Sequence, residues 1–378
     1  PVAGVFGGRR MTYYGRWMYK YEEAARRGAI AALIVHDTDG AGYGWPTVVA
    51  SAGENYGLAG SDPAGLLAVR GWLARDYADS LFREAGLDLD GLRAQARRRD
   101  FLPVELPIAF TADIPVASKT TVSHNVLAKL TGATHPDETI MFGAHWDAFG
   151  IGAPDAEGRV ARSGANDDAL GTAGVLELAR VFAAGPRPQR TLVFALWTAE
   201  ERGLLGSLDY AERPLYPLER TVANLTLDIL QTAGPARDVL LVGEGQGDLE
   251  DDLARAAAAQ GRVVTPEALP ERGLFYRADH FPLAKKGVPV LLLMAMSGGA
   301  DLFDGGRAAG DRWLAGYMKC YHQTCDRWSP QWDLRGAVQD VELFHAIGAR
   351  LANSRHWPQW RAGSEFRAVR DQSRAARR

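Results

Sequence analysis

From residue 139 onward, short apolar runs alternate with stretches of helical period, and this alternation most constrains the fold. TIMFGAHWD (139–147), TLVFALWT (191–198), VANLTLDIL (222–230), DVLLVG (238–243) and VPVLLLMAM (288–296) read as strands. The run 191–197 is apolar almost throughout instead of alternating, which suits a strand covered by helices on both faces. Between the runs lie ALGTAGVLELARVFAA (169–184), DLEDDLARAAAAQG (248–261) and AVQDVELFHAIGARLANS (337–354), with helical periodicity. The Pro-rich GPRPQ (185–189) stops the first of these helices. The expectation is an α/β sandwich, a mostly parallel mixed sheet with helices on both sides.

The first third reads differently. YKYEEAARRGAIAALIVHD (19–37) gives one helix, a glycine stop and one strand. A Gly-rich loop follows, and GLLAVRGWLARDYADSLFREAG (65–86) reads as helical. Pro103, Pro107 and Pro115 mark a break near 101–125. At 378 residues more than one domain is expected. The division read here is 1–118, 119–355 and a C-terminal tail, 356–378. The tail from Phe366 carries Arg367, Arg370, Arg374, Arg377 and Arg378, and reads as solvated or frayed. The chain begins at Pro1 without Met or an apolar leader, so it reads as processed or truncated, which leaves room for a lost signal peptide.

Composition removes several function classes. A net charge of −3 gives no reason to expect nucleic acid or an anionic membrane as partner. No segment approaches the ~20 apolar residues that span a bilayer. Cys320 and Cys325 are the only cysteines, which excludes a disulfide-rich scaffold and a Cys-based zinc finger. Their spacing fits a small disulfide or two reduced thiols equally well.

The unusual polar residues fall at strand ends and the loops after them. His145 closes the first run, with Asp147 two residues on; Asp167 and Asp168 sit in SGANDDALG before a helix. Glu200 and Glu201 follow the second run, Asp228 lies near the end of the third, and His322 is in YHQTCD. In open α/β sheets the ligand crevice lies outside the carboxyl ends of the strands. Each residue alone has an ordinary explanation: an N-cap for Asp167–Asp168, first-turn acids for Glu200–Glu201, a hydrogen-bonded loop histidine for His322. Asp228 is harder to dismiss, because an ionised carboxylate in an apolar strand costs several kcal/mol unless it is paired or bound to metal. Together, two histidines, three carboxylates and one further glutamate are what a pair of divalent ions needs. Zinc takes imidazole nitrogen and carboxylate oxygen, a pair of ions needs a bridging carboxylate, and an unligated carboxylate serves as general base.

GAHWDA (143–148), SGANDDALG (163–171), WTAEERGLLGS (197–207), NLTLDI (224–229), YRADHFPLAKKGVP (276–289) and YHQTCD (321–326) resemble the co-catalytic zinc aminopeptidases. That family includes glutamate carboxypeptidase and the transferrin receptor ectodomain, and the motifs keep its order over roughly residues 120–355. The helix–Gly–strand at 19–37 is similar to the protease-associated domain that many members carry. The resemblance implies two zinc ions per chain: His145 and Asp228 on one, Glu201 and His322 on the other, Asp167 bridging both. It implies Glu200 as general base and then acid, Tyr276 as an oxyanion donor, and Asp147 as the carboxylate that orients His145. Asp279 and His280 look structural, and a cis peptide is implied between Asp167 and Asp168. The implied reaction is peptide hydrolysis outside the cytoplasm, secreted or periplasmic, with peptides as the partners; oligomeric state is not legible.

An aminopeptidase is the favoured reading. A carboxypeptidase or dipeptidase acting on acidic C-termini is kept open by Arg272 and Arg277, although no dense basic cluster surrounds the motifs. A receptor-like protein on the same fold would have lost ligands, and a glutaminyl cyclase uses a single zinc; this chain retains all five ligand positions and the base.

Overall fold

The computed structural model describes residues 9–50, 53–60 and 67–377. The chain divides into two compact units, one of Pro1–Val48, Ala59–Val122 and Glu271–Gly273, the other of Val49–Leu58, Ser123–Pro270 and Leu274–Arg378.

In the first unit, β1 (Ala31–Val35) and β2 (Val69–Leu73) pair in parallel, Leu33 opposite Gly71. Helices Trp17–Arg26, Arg75–Glu84 and Leu89–Gln95 are its longest. The Tyr21 hydroxyl donates to the Gly71 carbonyl at 2.7 Å, tying the first helix to β2. The stretch 65–86, read above as one helix, is therefore a strand followed by a helix; its first two residues lie outside the described ones. In VRGWL, Gly71 weakens a helix while Val69 and Trp72 favour extended backbone, and pairing with β1 decides between them.

The second unit is built on β3 (Val126–Leu130), β4 (His135–His145), β7 (Arg190–Trp197), β8 (Thr221–Leu227) and β11 (Val290–Leu293). These pair in the order β11-β8-β4-β7-β3, parallel except for the antiparallel edge strand β3. A hairpin of β5 (Gly150–Ile151) and β6 (Ala161–Arg162) and a parallel pair, β9 (Asp238–Leu241) with β10 (Val263–Pro266), stand beside the sheet.

The largely apolar strands have the expected cause. Ile140, Phe142, Ala144, Leu192 and Phe194 pack against helices Leu170–Ala184 and Arg335–Ala352. Their neighbours Met141, Val193, Ala195 and Trp197 face helices Leu205–Glu212 and His280–Lys285 on the other side. Burial on both faces leaves no position where an exposed polar residue would produce alternation. Helix Arg335–Ala352 comes so close that a Cβ on Gly348 would stand 2.4 Å from Cζ of Phe142. The sheet is thus clamped, and its carboxyl-end loops start from rigid points.

The tail departs from the frayed terminus expected of it. Trp360, Phe366 and Arg370 are buried, Trp360 donates its ring N–H to the Gly287 carbonyl at 2.9 Å, and the Arg370 guanidinium lies over the Trp357 ring. Aromatic burial outweighs the solvation of the arginine run. Among the described residues, no helix is long and apolar enough to cross a membrane.

Candidate metal centre

His145 is the last residue of β4, Glu200 and Glu201 follow β7, and Asp228 follows β8. Asp167 precedes helix Leu170–Ala184, and His322 lies in the loop after helix Gly306–Tyr317. The fold brings all of them to one place. His145 Nε2 stands 3.0 Å from Asp167 Oδ1; His322 Nε2 stands 3.0 Å from Glu201 Oε2 and 3.4 Å from Asp167 Oδ2. Two groups of potential ligand atoms result, His145–Asp167–Asp228 and Asp167–Glu201–His322, each with its atoms within 4.8 Å of one another. Asp167 belongs to both.

The local backbone is bent to make this possible. Ala199, just before the glutamate pair, Ile229, just after Asp228, and His322 itself have φ of 54°, 54° and 61°. Left-handed backbone at a non-glycine residue costs ~1–3 kcal/mol and persists where surrounding structure enforces it. Three of the four such residues described here adjoin or carry a site side chain. The Asp167–Asp168 peptide is cis, as the resemblance implied. Gly164 (φ 59°) lets the turn close, since a Cβ there would lie 2.2 Å from the Asp167 carbonyl oxygen.

Hydrogen bonds fix the candidate ligands further. Asp147 accepts from the backbone N–H of Glu200 at 3.0 Å and of Glu201 at 3.3 Å, so one carboxylate holds the turn carrying both acids. The Asp147 carbonyl and carboxylate both face Nδ1 of His145, at 3.0 and 3.5 Å. Asp168 accepts from the His145 and Gly171 N–H groups, locking the end of β4 to the start of the helix. Asp326 accepts from the Asn166 and Asp167 N–H groups at 2.9 and 3.1 Å, and Asn166 accepts from Leu230 N–H at 3.0 Å. The neighbours of Asp167 thereby connect three loops.

The electrostatics are those of a cation site. Burial first, then neighbouring carboxylates, push Asp228 up to about 8, and burial raises Glu200 and Asp168 well above the carboxylate range. Burial also lifts Glu201, against the opposing pull of His322. Burial works against protonation of His322, yet Glu201 and Asp167 raise it to about 9. His145 is likewise raised, with Asp147 and Asp167 overcoming burial. Burial would raise Asp167 too, but the two imidazoles hold it below the ordinary range.

The residues fit a divalent pair. Asp228 Oδ1 is buried without a hydrogen-bond partner, and Asp167 Oδ2 has only the 3.4 Å approach of His322. Two ligands of a tetrahedral zinc ion stand ~3.3 Å apart, close to the imidazole–carboxylate distances here. Nitrogen and oxygen donors without thiolate suit zinc at a catalytic site. A cleft lined by Phe149, Arg162, Asp167, Glu201, His322 and Asp326 among others gives access.

Some expected roles find a different geometry. The Tyr276 hydroxyl donates to Glu365 at 3.0 Å, with its ring against Phe275 and Phe281. Tyr321, adjacent to His322 and not singled out from the sequence, has its ring centroid 3.7 Å from the imidazole, and its hydroxyl accepts from Arg277 at 3.0 Å. Asp279 accepts from Ser207 at 2.5 Å, and His280 is held neutral, its pKa lowered to about 3 by burial, facing the Phe275 carbonyl. Asp326 and Asn166 were also missed, because their work is done through backbone N–H groups that leave no spacing signature. The one signal available was position: Tyr321 and Asp326 flank the candidate ligand His322 in YHQTCD.

Cys320 and Cys325 are joined in a disulfide, so the loop carrying His322 is closed on itself. Opening it frees the backbone around His322, which is held at positive φ. Converting both cysteines to serine is expected to weaken the tighter measurable divalent-ion binding by ~10-fold or more, as loss of ligand support does. Zinc titration by calorimetry checks this; unchanged affinity for both ions refutes it.

The model of peptidase family M28 matches residues 125–345. Aminopeptidase NAALADL1 of Mus musculus is 40% identical over 113 residues, 28% of this chain and 14% of that protein. Leupeptin-inactivating enzyme 1 of Streptomyces exfoliatus is 30% identical over 209 residues, 54% of this chain and 43% of that protein. The chain therefore spans less than half the length of either curated relative. Among solved structures, an aminopeptidase from Aneurinibacillus sp. strain AM-1 superposes with a TM-score of 0.51 at 23% identity, covering 92% of this chain and 68% of that one, a likeness of fold. The family match covers more than half of the chain and encloses all five candidate ligands and Glu200. This chain belongs to peptidase family M28.

Proposed function

We propose that the protein is a two-zinc exopeptidase, an aminopeptidase releasing N-terminal residues from peptides. The observation that carries the reading is Asp167, shared between two imidazole–carboxylate groups at the carboxyl end of a parallel sheet. His145, Asp167 and Asp228 would hold one ion and Asp167, Glu201 and His322 the other; when bound, the pair supplies Lewis acidity and lowers the pKa of water toward neutrality.

The chain's own residues do the rest. Glu200 stands among His145, Glu201 and Asp228, and burial raises the proton affinity of its carboxylate. Its carboxylate takes the proton of the attacking water and passes it to the leaving amine. Asp147 keeps Glu200 and Glu201 on separate tasks by gripping their backbone N–H groups. Tyr321, fixed by Arg277 and by its face against His322, is the phenol we assign to the developing oxyanion, in place of Tyr276. The disulfide supports a site of action outside the reducing cytosol.

Arg277 beside Tyr321 supports the second reading, a carboxypeptidase acting on acidic C-termini. Leucine p-nitroanilide and an N-acetylated acidic dipeptide separate the two. Hydrolysis of the free-amine substrate, at a rate at least ~10-fold above the blocked one, is expected. Cleavage of the blocked substrate alone overturns the aminopeptidase assignment.

A further inference from the structure

The lining of the cleft is not all acidic. Arg162, the last residue of β6, shares it with Asp167, Glu201 and His322. No carboxylate among the described residues pairs with this guanidinium. Its hydrogen bonds go to the Ala153 and Val160 carbonyls, at 3.2 and 3.5 Å, and its Nε is buried without a partner. A guanidinium offers five donors in a fork matched to a carboxylate, and these two long contacts leave most of that capacity unused. Gly152 makes room for it, since a Cβ there would lie 2.4 Å from Arg162 Nη1.

The neighbouring arginines are already engaged. Arg159 pairs with Asp155 and Glu157, Arg202 lies over the Tyr56 and Phe149 rings and reaches Glu54 at 3.8 Å, and Arg277 donates to Tyr321. Arg162 is thus the cation in the cleft wall that lacks an anion, and it stands beside the proposed reaction site. A substrate's terminal ammonium is repelled by it and drawn to the acidic side of the cleft. A substrate carboxylate is drawn toward it.

We infer that Arg162 is a specificity-determining residue that pairs with a substrate carboxylate on the leaving-group side of the scissile bond. Short peptides, dipeptides foremost, are then the preferred substrates, because their C-terminal carboxylate reaches the cleft. This rests on the peptidase reading above and names its substrate class.

The test compares leucyl-glycine, leucyl-glycinamide and leucine p-nitroanilide on the zinc-loaded chain and on Arg162→Gln and Arg162→Lys. A desolvated charge-assisted pair supports an effect of ~10-fold or more. The expected result is a KM for the dipeptide at least ~10-fold below that of its amide. Arg162→Gln removes the difference, while kcat and the other two substrates stay within about twofold, and Arg162→Lys restores part of it. In a Glu200→Gln background, calorimetric binding of dipeptide and amide shows the same preference without turnover. Equal treatment of the dipeptide and its amide by the wild-type chain, or a glutamine variant that affects all three substrates alike, overturns the inference and leaves the peptidase reading standing. Failure of the wild-type chain to cleave any of the three overturns the peptidase reading instead, and the binding comparison still decides Arg162. If the glutamine variant does not fold, the lysine variant carries the comparison, and an unchanged preference for the dipeptide refutes the inference.

Discussion

Replacing Glu200 with alanine should lower kcat by at least ~100-fold while the protein keeps its metal, since a general base contributes ~10²–10⁴-fold. The neighbouring substitution, Glu201→Ala, should cost metal as well as rate. The contrast follows from geometry. Glu201 faces Nε2 of His322 at 3.0 Å and belongs to a ligand group with Asp167; Glu200 belongs to neither ligand group. Asp147 holds both backbone N–H groups, so removing one side chain leaves the other in place. Zinc content and turnover measured on the same preparations check the assignment. Metal lost from Glu200→Ala and retained in Glu201→Ala would show the two roles to be exchanged.

The second large effect concerns the metal-free protein, which should lose stability as pH rises from about 4 to about 8 and regain it on adding zinc. Burial, then Asp167, raises Asp228 to about 8, and burial, offset in part by His145, raises Asp279 to about 7. A carboxyl whose pKa is higher in the folded chain binds its proton more tightly there. Its contribution is fully present below the unfolded value near 4 and is lost as pH rises through the folded value. His322, raised to about 9, acts in the same sense over a higher window, its contribution present below the unfolded value near 6.5. Asp167 runs the other way, its lowered pKa costing stability only in acid. Cations relieve this loss by neutralising the same carboxylates. Melting curves of chelator-treated protein at pH 5 and pH 8, with and without zinc, measure this. Zinc should raise Tm more at pH 8, and Asp228→Asn should flatten the pH dependence of the metal-free chain. An equal zinc effect at both pH values contradicts the electrostatic account.

Much of this centre was legible in the sequence for a specific reason. His145 and Asp228 stand at the carboxyl ends of largely apolar runs, where a buried imidazole or carboxylate needs a partner or a metal. Asp167 and the glutamate pair follow from the same strand-end logic. The residues that set the geometry were less visible. Asp326 and Asn166 act on backbone N–H groups distant in sequence, a relation that exists only once the loops meet. Tyr321 was hidden by its neighbour His322, while Tyr276, which opens the motif YRADHFPLAKKGVP, took the role on paper and bonds Glu365 in the fold. Outside the centre, β2 was read as helix because VRGWL is short and flanked by good helix formers. The edge strand β3 carries too few buried positions to announce itself. The arginine-rich tail was misread because Trp360 and Phe366 outweigh its charges.

The central claim, that Asp167 joins two metal ions, is tested most directly by counting them. Protein purified without chelator, dialysed against metal-free buffer and analysed by plasma mass spectrometry should hold two zinc ions per chain, falling in Asp167→Ala to well below one. Fewer than one divalent ion per wild-type chain, after incubation with zinc, contradicts the two-metal account.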